Sequence, residues 1–483
     1  MALVPGADRL DGPLNRHVAL VGFMGAGKST IGAAVAERIG RPFRDVDQEV
    51  ELSLNTSIAS FFAAEGEEAF RVRETAATVS ALRSPEPSVL ALGGGAVTRE
   101  TVRRALREHA VTVLVPVDAE IAWERVRDSG RPLAQERSAF LALYDQRAPL
   151  YREIADAVAN DADDAVLAAA GVHVERGALA RLGELVPGDG PVALVSDPHV
   201  AGIHGMDAQL ALGPRLAEMH ELPPGEEAKA LGALDRLWQE LRLDRRGTIV
   251  ALGGGCTCDA AGFAAASYLR SVAWVPVPTS LVAQVDAAIG GKTAIDLPQG
   301  KNLVGAFHWP VRTVIDPALL ETLPPEQRLE GMAEVVKTGL LAGEQLWELP
   351  DDELVRRCAA FKAAVCLRDP REQGERAILN LGHTFAHALE AAAGFEGLTH
   401  GRAVALGLLA ALRLSGRDPA VVEDVLRPEP ARVDRERAWE AMRRDKKAVG
   451  GELRLVLLGE DGPRWDVAVP AEDVRRELDR LIA

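Results

Sequence analysis

A short apolar run, a glycine-rich turn and a helical stretch succeed one another at residues 17–40, and they constrain the fold more than any other feature. The turn reads GFMGAGKS at 22–29 and matches G-x-x-x-x-G-K-[ST] at every fixed position. The run HVALV before it is typical of a buried parallel strand, and STIGAAVAERIG after it favours a helix. Such a turn predicts backbone N–H groups around nucleotide phosphates, with Lys28 at the β/γ oxygens and the Ser29 hydroxyl on Mg²⁺.

The rest of the pattern predicts an α/β protein with more than one domain. Its 483 residues exceed one ordinary core, so we expect two or three domains. Apolar runs alternate with helical patterns in the first part, as in SVLALGGG near 90, AVTVLVPV near 113 and DAEIAWERVRDSG. This alternation predicts a parallel sheet with helices. Residues 160–171 indicate a last short helix, after which a new unit begins.

A second α/β unit begins near Val172, and its strands are predicted at VALVSD, TIVALGGG and SVAWVPVP. From about residue 325 helical periodicity dominates, broken only by RLVLLG and WDVAVP near the end. We therefore predict three parts, at 1–171, 172–325 and 326–483. The two GGG runs have different surroundings and are interpreted as separate loops, each following a strand.

Composition excludes several classes of protein. The net charge of −16 argues against a general binder of nucleic acid or of anionic membranes, which usually carries a basic face. No apolar run reaches the roughly 18 residues that a membrane span needs, and the N-terminus has no secretory pattern. The four cysteines are too few for a disulfide framework. We expect a cytoplasmic protein that acts on small molecules.

Five further segments accompany the glycine-rich turn in a fixed order: FRDVDQEVE, FFAAEGEEAFRVRE, LALGGGAV, GRPL and QRAPLYRE. Together they resemble shikimate kinase over residues 16–170. Taken singly, Asp45 and Asp47 could simply begin a helix, and an arginine on a helix is usually solvated. The resemblance implies an ATP- and Mg²⁺-dependent phosphotransfer to shikimate.

The resemblance also implies a role for each matching position of the N-terminal part. The catalytic set would be Lys28, Asp47 and the lid residue Arg131, and Asp45 would join Ser29 at Mg²⁺. Shikimate would be held by Asp47, Arg71, Gly93, Gly94, Gly95 and Arg147. ATP would be held by Gly25, Ala26, Gly27, Lys28, Ser29, Thr30, Arg127 and Arg131.

In the C-terminal half the residues themselves indicate a loop for phosphates and a metal site. LGGGCTCDAAGF (252–263) stands where a strand meets a helix, although G-x-G-x-x-G is absent. His383 and His387 lie four residues apart on one helical face, with His400 and Glu334 as further candidate ligands. Imidazole and carboxylate suit Zn²⁺ and related ions. A pair of histidines at this spacing could also be a coincidence on a helix surface.

Longer motifs resemble 3-dehydroquinate synthase over about 172–483, among them VPTSLVAQVDAAIGGKTAIDLPQGKNLVGAF, LEGMAEVVKTGLL and LRDPREQGERAILNLGHTFAHALE. On that pattern Glu334, His383 and His400 correspond to ligands of Zn²⁺ or Co²⁺. The positions that would hold NAD⁺ are Asp197, His199, Glu226, Lys229, Gly254, Gly255, Asp259, Thr279, Ser280, Asp286, Lys292 and Lys301. The positions around the substrate would be Lys292, Asn302, Lys337, Lys362, Arg376, Asn380 and Lys447.

The second resemblance implies a reaction in which NAD⁺ is reduced and then reoxidised while phosphate is eliminated, so the domain would be a lyase. Lys292, His387 and Arg270 would be its catalytic residues, and Arg270 would act across a homodimer interface. Together the resemblances imply a P-loop kinase with a three-layer parallel sheet, then a Rossmann-like α/β part and a mostly helical part.

Some positions depart from the second family's pattern. His199 stands where asparagine is usual, and Arg402 where glutamate is common. Cys256-Thr257-Cys258 replaces an apolar and glycine stretch, and we interpret it as small residues filling a tight loop rather than as a second metal site. The helices near 344–358 and 415–435 are shorter than usual.

Two alternatives to this bifunctional enzyme stay open. The C-terminal half could be another sugar-phosphate cyclase, although Arg376 and Lys362, expected at a carboxylate, argue against that. Alternatively, one half could be a non-catalytic regulatory or binding module, which the occupied charged positions disfavour.

Overall fold

The computed structural model describes residues 12–130, 132–394, 397–445 and 452–483. It divides into two compact units, one that ends at Val172 and one that runs His173–Ala483. The predicted site residues Arg131 and Lys447 lie outside the described residues. Among the helices of these ranges, none is both long and apolar enough to cross a bilayer.

The first unit is a parallel sheet with helices packed around it. Its sheet has the strand order β2-β3-β1-β4-β5, and every pair in it is parallel. All five residues of the central strand β1 are buried, as its unbroken apolar run predicts. The elements are β1 (His17–Val21), α1 (Lys28–Ile39), β2 (Phe43–Asp45), α2 (Val46–Leu54), α3 (Ile58–Leu82), β3 (Val89–Ala91), α4 (Glu100–His109), β4 (Ala110–Leu114), α5 (Ala119–Val126), α6 (Arg137–Ile154), β5 (Ala157–Val158) and α7 (Ala162–Ala169).

The second unit begins with another parallel sheet, in the order β10-β9-β7-β8. Strands β7 and β9 are buried throughout and lie between apolar clusters on the two faces of the sheet. The elements up to residue 315 are β6 (Val172–Val174), α8 (Leu182–Leu185), β7 (Val192–Ser196), α9 (Pro198–Val200), α10 (Met206–Leu212), β8 (Leu216–Glu221), α11 (Leu231–Glu240), β9 (Thr248–Gly253), α12 (Gly255–Ser267), β10 (Ala273–Pro278), β11 (Lys292–Leu297), β12 (Gly300–Phe307) and β13 (Thr313–Ile315). Strands β11 and β12 form an antiparallel hairpin that the apolar pattern of the sequence did not predict.

Helices dominate the remainder, as the periodicity after residue 325 predicts. Helix α16 is apolar on nearly all sides and buried, so its neighbours pack around it. The elements are α13 (Pro325–Ala342), α14 (Asp351–Arg368), α15 (His383–Ala392), α16 (His400–Leu414), α17 (Ala420–Leu426), α18 (Arg435–Asp445), β14 (Glu452–Gly459), β15 (Gly462–Pro470) and α19 (Ala471–Arg480). The predicted fold class is confirmed; the internal boundary at 325 stays a prediction.

Candidate active sites

The loop between β1 and α1 has the backbone that the glycine-rich motif predicts. Gly22, Gly25 and Gly27 have φ angles of +147°, +82° and +90°, which favour glycine. A Cβ atom on Gly22 would also lie 2.4 Å from the Val115 carbonyl oxygen. Because α1 begins directly at Lys28, the loop residues Ala26 and Gly27 lie at the positive end of its dipole.

Two polar side chains adjoin this loop. Lys28 Nζ donates hydrogen bonds to the carbonyl oxygens of Gly22 (2.9 Å) and Phe23 (3.1 Å), so its ammonium group lies over the loop. Ser29 Oγ donates to Asp45 Oδ2 at 2.6 Å. Asp45 caps α2 by accepting from the Asp47 backbone N–H at 3.1 Å, and this fixes its carboxylate. Paired hydroxyl and carboxylate oxygens are suitable ligands for Mg²⁺.

The acceptor side of this site forms where α3 meets the loop after β3. Arg71 Nη1 donates to Glu74 Oε2 at 2.6 Å, and both side chains are buried. A Cβ atom on Gly95 would lie 1.9 Å from Arg71 Nη1, and one on Gly93 would lie 2.5 Å from Asp47 Oδ1. The glycines are therefore required by the close approach of these charged groups. The structure brings these predicted shikimate-binding residues together.

Arg147 approaches the same loop from α6. Its Nη1 donates to the Gly94 carbonyl oxygen at 3.4 Å, and Tyr151 Oη donates to the same oxygen at 2.5 Å. Burial lowers the pKa of Arg147, and the nearby Arg71 lowers it further. Two buried guanidinium groups on one loop form a site suited to a carboxylate.

Glu74 also belongs to this site, although it was not predicted from the sequence. Burial raises the pKa of its carboxyl, and the charge of Arg71 opposes that rise. The i, i+3 spacing of Arg71 and Glu74 on a helix could have indicated from the sequence that Glu74 contacts Arg71.

Arg125 lies beside the glycine-rich loop that would bind ATP, and it was not predicted from the sequence. Arg125 Nη1 donates to the Gly25 carbonyl oxygen at 2.9 Å. The predicted Arg127 instead forms an exposed ion pair with Glu124 at 2.9 Å. Thr30 follows Ser29 in the first turn of α1.

In the second unit, the predicted NAD-binding residues gather at the carboxyl edge of the parallel sheet. Asp197 follows β7, Gly254 and Gly255 follow β9, and Thr279 and Ser280 follow β10. Such an edge is where open parallel sheets bind nucleotides.

Two helix starts shape the middle of this edge, after the central strands β7 and β9. Asp197 caps α9, accepting from the His199 and Val200 backbone N–H groups at 3.0 and 3.1 Å. Gly254 precedes α12, and a Cβ atom on it would lie 3.6 Å from Ser280 Oγ. The missing side chain leaves room for a phosphate at the helix N-terminus. The His199 side chain is exposed.

A charged network borders the same edge and centres on the buried Lys229. Lys229 Nζ lies 3.2 Å from Asp259 Oδ2 and 3.5 Å from Asp296 Oδ1, and it donates to Asn302. Burial raises the pKa of Asp259 to about 6, although Lys229 opposes the rise. Asp296 was not predicted, and Asn302, predicted at the substrate, lies here.

Two more predicted residues complete this network. Glu226 Oε2 lies 3.9 Å from Lys229 Nζ, and its Oε1 accepts from Lys301 Nζ at 2.8 Å. The network contains three carboxylates and two lysines, so it can offer both donors and acceptors to a ribose.

The predicted metal ligands converge from three helices. Glu334 Oε1 lies 3.5 Å from His383 Nε2 and 3.3 Å from His400 Nε2, and one ligand atom from each residue falls within 4.8 Å of the others. The side chains of Glu334, His383 and His400 are 2%, 12% and 41% exposed. Two imidazoles and one carboxylate fit Zn²⁺ or Co²⁺ and leave a coordination position for substrate.

Contacts of the two Nδ1 atoms orient both imidazoles toward the position that the metal would occupy. His383 Nδ1 lies 3.2 Å from the Leu381 carbonyl oxygen, and His400 Nδ1 lies 3.4 Å from Glu390 Oε1. In each ring Nε2 is left as the ligand atom. Glu390 was not predicted; it lies two turns after His383 on α15, inside the quoted motif.

Two buried lysines lie beside the metal ligands. Lys337 Nζ donates to Asp286 Oδ2 at 3.0 Å, contacts Glu334, and has its pKa raised by Asp286 and Glu334 against the effect of burial. Lys362 also donates to Asp286. The structure therefore places Asp286, predicted to bind NAD⁺, among the predicted substrate lysines.

A third lysine and an arginine line the adjoining loop. Lys292 Nζ contacts Glu372, whose Oε1 accepts from Asn380 Nδ2 at 3.1 Å. Burial lowers the pKa of Lys292. Arg376 donates to the Gly290 carbonyl oxygen at 3.0 Å, and its buried Nε has no hydrogen-bond partner among the described residues.

Glu372 was not predicted, although it lies within the quoted motif REQGER. It has a φ of +53°, a strained value for a glutamate, which is common at functional sites. Its position between Lys292 and Asn380 depends on that backbone turn, so no sequence spacing indicated it.

Two predicted catalytic residues lie at the margin. The His387 side chain is exposed, and its ring centroid lies 5.6 Å from that of His383. Arg270 is exposed and makes no hydrogen bond or ion pair with the described residues. It lies in a run of three non-glycine residues with positive φ, Leu269, Arg270 and Ser271.

Cys256 and Cys258 lie in the first turn of α12, close to Gly254. Burial raises the pKa of Cys256 to about 12 and also raises that of Cys258. Within the described ranges the only cluster with metal-ligand geometry is Glu334, His383 and His400. Cys258 is buried in an apolar cluster beside the sheet, and the partly buried Cys256 packs against the same cluster.

Comparisons with known proteins match both units. A family model described as shikimate kinase matches residues 24–175. Models described as the N-terminal and C-terminal parts of 3-dehydroquinate synthase match residues 219–330 and 331–448. The 3-dehydroquinate synthase of Bordetella pertussis is 41% identical over 342 residues, which span 64% of this chain and 95% of that protein. That of Gloeobacter violaceus is 42% identical over 351 residues, spanning 64% and 96%.

A solved structure is similar to the second unit. It is 2-deoxy-scyllo-inosose synthase complexed with carbaglucose-6-phosphate, NAD⁺ and Co²⁺, at 26% identity and a TM-score of 0.58. The match covers 64% of this chain and 96% of that one.

Proposed function

Because this chain belongs to the 3-dehydroquinate synthase family and carries a shikimate kinase domain ahead of that part, we propose that it catalyses two steps of the shikimate pathway. The first is transfer of the γ-phosphoryl group of ATP to shikimate, which gives shikimate 3-phosphate. The second converts 3-deoxy-D-arabino-heptulosonate 7-phosphate to 3-dehydroquinate and phosphate. Both resemblances found in the sequence motifs are confirmed.

The kinase site supplies charge and position rather than covalent chemistry. Lys28 and the loop N–H groups would bind the ATP phosphates, and Ser29 with Asp45 would hold Mg²⁺. Arg71 and Arg147 hold the shikimate carboxylate across the loop at Gly93–Gly95. Asp47 accepts the proton of the hydroxyl that attacks the phosphoryl group.

The synthase site combines an NAD-binding edge with a cationic pocket beside the metal ligands. When bound, NAD⁺ would accept and return a hydride, and Zn²⁺ or Co²⁺ would lower the pKa of a substrate hydroxyl. Glu334, His383 and His400 would hold the metal. The observation that carries the proposal is this triad around the buried Glu334, with Lys337 in contact with Glu334.

The residues around the triad bind the anionic groups of the substrate. Lys337, Lys362 and Arg376 present positive charge to its carboxylate and phosphate. We assign Glu372 and His387 to proton transfer during elimination and ring closure. A carboxylate-binding arginine favours this substrate over the polyol phosphate of another cyclase.

We also propose a homodimer in which Arg270 reaches the partner subunit's phosphate. Three successive residues with positive φ hold this exposed arginine outward, and strain of that kind is kept where a function requires it. A cytoplasmic location is proposed as well, and the four free cysteines support a reducing compartment.

The proposed synthase function is tested by product analysis. Purified protein is given 3-deoxy-D-arabino-heptulosonate 7-phosphate, NAD⁺ and Zn²⁺, and phosphate and 3-dehydroquinate are measured together. We expect one of each per substrate with no net NADH. Absence of phosphate release from this substrate would show that the C-terminal unit is another cyclase.

A further inference from the structure

Two of the proposed metal ligands are linked by a carboxylate that is not itself a ligand. Glu330 precedes Glu334 by one turn of α13. Its Oε2 accepts from the Gly401 backbone N–H at 2.6 Å, and its Oε1 accepts from Thr399 Oγ1 at 2.5 Å. Both donors flank His400, the first residue of α16.

These bonds take the place of a cap within α16 itself. Thr399 occupies the N-cap position, but its hydroxyl accepts no bond from its own helix and instead donates to Glu330. The third helical position, where a glutamate would complete a capping box, is Arg402. A cation there opposes the helix dipole, and Arg402 Nη2 lies 3.6 Å from Glu429 Oε2, an exposed carboxylate.

The two helices also approach closely at this point. A Cβ atom on Gly401 would lie 2.4 Å from the Glu330 carbonyl oxygen. Glu330 thus touches α16 through both its backbone and its carboxylate. Glu330 therefore ties the start of α16, and with it the backbone of His400, to the helix that carries Glu334, while Glu390 contacts the His400 ring.

We propose that Glu330 is a positioning residue for the metal site, holding His400 in register with Glu334. This inference rests on the proposed metal site at Glu334, His383 and His400. It assigns Glu330 no contact with substrate or metal. Its loss is expected to weaken metal binding about tenfold, the lower end of the range for outer-sphere partners.

The test uses the full chain, stripped of metal and titrated with Co²⁺ against a competing chelator. Glu330→Ala is expected to bind Co²⁺ about tenfold more weakly and to shift the cobalt absorption bands, because the His400 ring is no longer fixed. Glu326→Ala is the matched control: it removes an exposed carboxylate one turn earlier on α13 and should bind as the native protein does. Glu330→Gln keeps the side-chain size and one acceptor oxygen, so its Co²⁺ affinity should lie between those of Glu330→Ala and Glu326→Ala. It should also fold if Glu330→Ala does not.

A second change distinguishes positioning from general destabilisation. Arg402→Glu supplies a carboxylate at the third position of α16 and should restore most of the Co²⁺ affinity of Glu330→Ala or Glu330→Gln. The proposal is overturned if the Glu330 variants bind Co²⁺ with native affinity and spectrum. It is also overturned if Arg402→Glu restores the Co²⁺ affinity of neither Glu330 variant. A native protein that binds no Co²⁺ would instead overturn the metal site on which the inference rests.

Discussion

His400 Nε2 lies 3.3 Å from Glu334 Oε1, although the two residues are on different helices. Burial alone would lower the pKa of His400, but hydrogen bonds to Glu334 and Glu390 outweigh it and raise the pKa to about 10. The metal-free site therefore holds a proton where the metal would bind. Metal binding must release that proton.

Metal affinity should consequently fall as the pH is lowered. Below about pH 10 the proton on His400 competes with the metal, so we expect a loss of up to about tenfold in Co²⁺ affinity per pH unit. Chelator-competition titrations between pH 7 and 9 measure this. Glu390→Gln removes one of the stabilising carboxylates and should make the slope shallower. An affinity independent of pH over this range would contradict the protonated site.

The contact between Arg71 and Glu74 predicts a selective defect in the kinase. Glu74→Gln removes the buried charge that orients Arg71, so the KM for shikimate should rise about tenfold, with a smaller change in the KM for ATP. Glu67→Gln is the matched control, because Glu67 also pairs with Arg71 but its side chain is 48% exposed. Exposed pairs contribute little, so its KM should change less than about threefold. Equal effects of the two changes would contradict the assigned role of Glu74.

Glu372 should matter for the synthase reaction and not for the kinase. Its carboxylate holds Lys292 and Asn380, so Glu372→Gln is expected to lower the rate of phosphate release by about 10²-fold. Glu375→Gln, three residues on and paired with Arg368 at 2.6 Å, is the control and should be near native. Initial rates of both reactions are measured on each variant. A native rate for Glu372→Gln would remove Glu372 from the site.

Arg270 gives a direct test of the proposed homodimer. Arg270→Ala and His383→Ala should each lack synthase activity, yet co-expressed chains should form mixed dimers with one complete site. If the arginine acts in the partner subunit, random mixing restores about a quarter of native activity. If mixed dimers form but recover no synthase activity, Arg270 does not act in the partner's site.

Much of the fold and of both candidate sites could be predicted, because the informative residues are close in sequence. The strand, turn and helix around Lys28 form one local unit, and its glycines are fixed by backbone geometry. Likewise His383 begins α15 and His400 begins α16, so helix starts place them. In local patterns of this kind, the spacing of the residues in the sequence determines their geometry.

Contacts between distant segments could not be predicted in the same way. Asp286 was matched to NAD⁺, but tertiary packing places it between Lys337 and Lys362. Asp296 meets Lys229 only because the unpredicted β11–β12 hairpin folds back. In each case a buried charge takes its partner from another element, and sequence spacing does not encode that choice.

We infer that one chain carries two active sites that work independently, and paired substitutions at the two sites test this. One preparation each of native protein, Lys28→Ala and His383→Ala is assayed for shikimate phosphorylation and for 3-dehydroquinate formation. Lys28→Ala should lower the first rate by about 10²- to 10³-fold and leave the second at native level, and His383→Ala should do the reverse. Loss of both activities from either substitution, or of neither from both, would contradict two separate sites built on these residues.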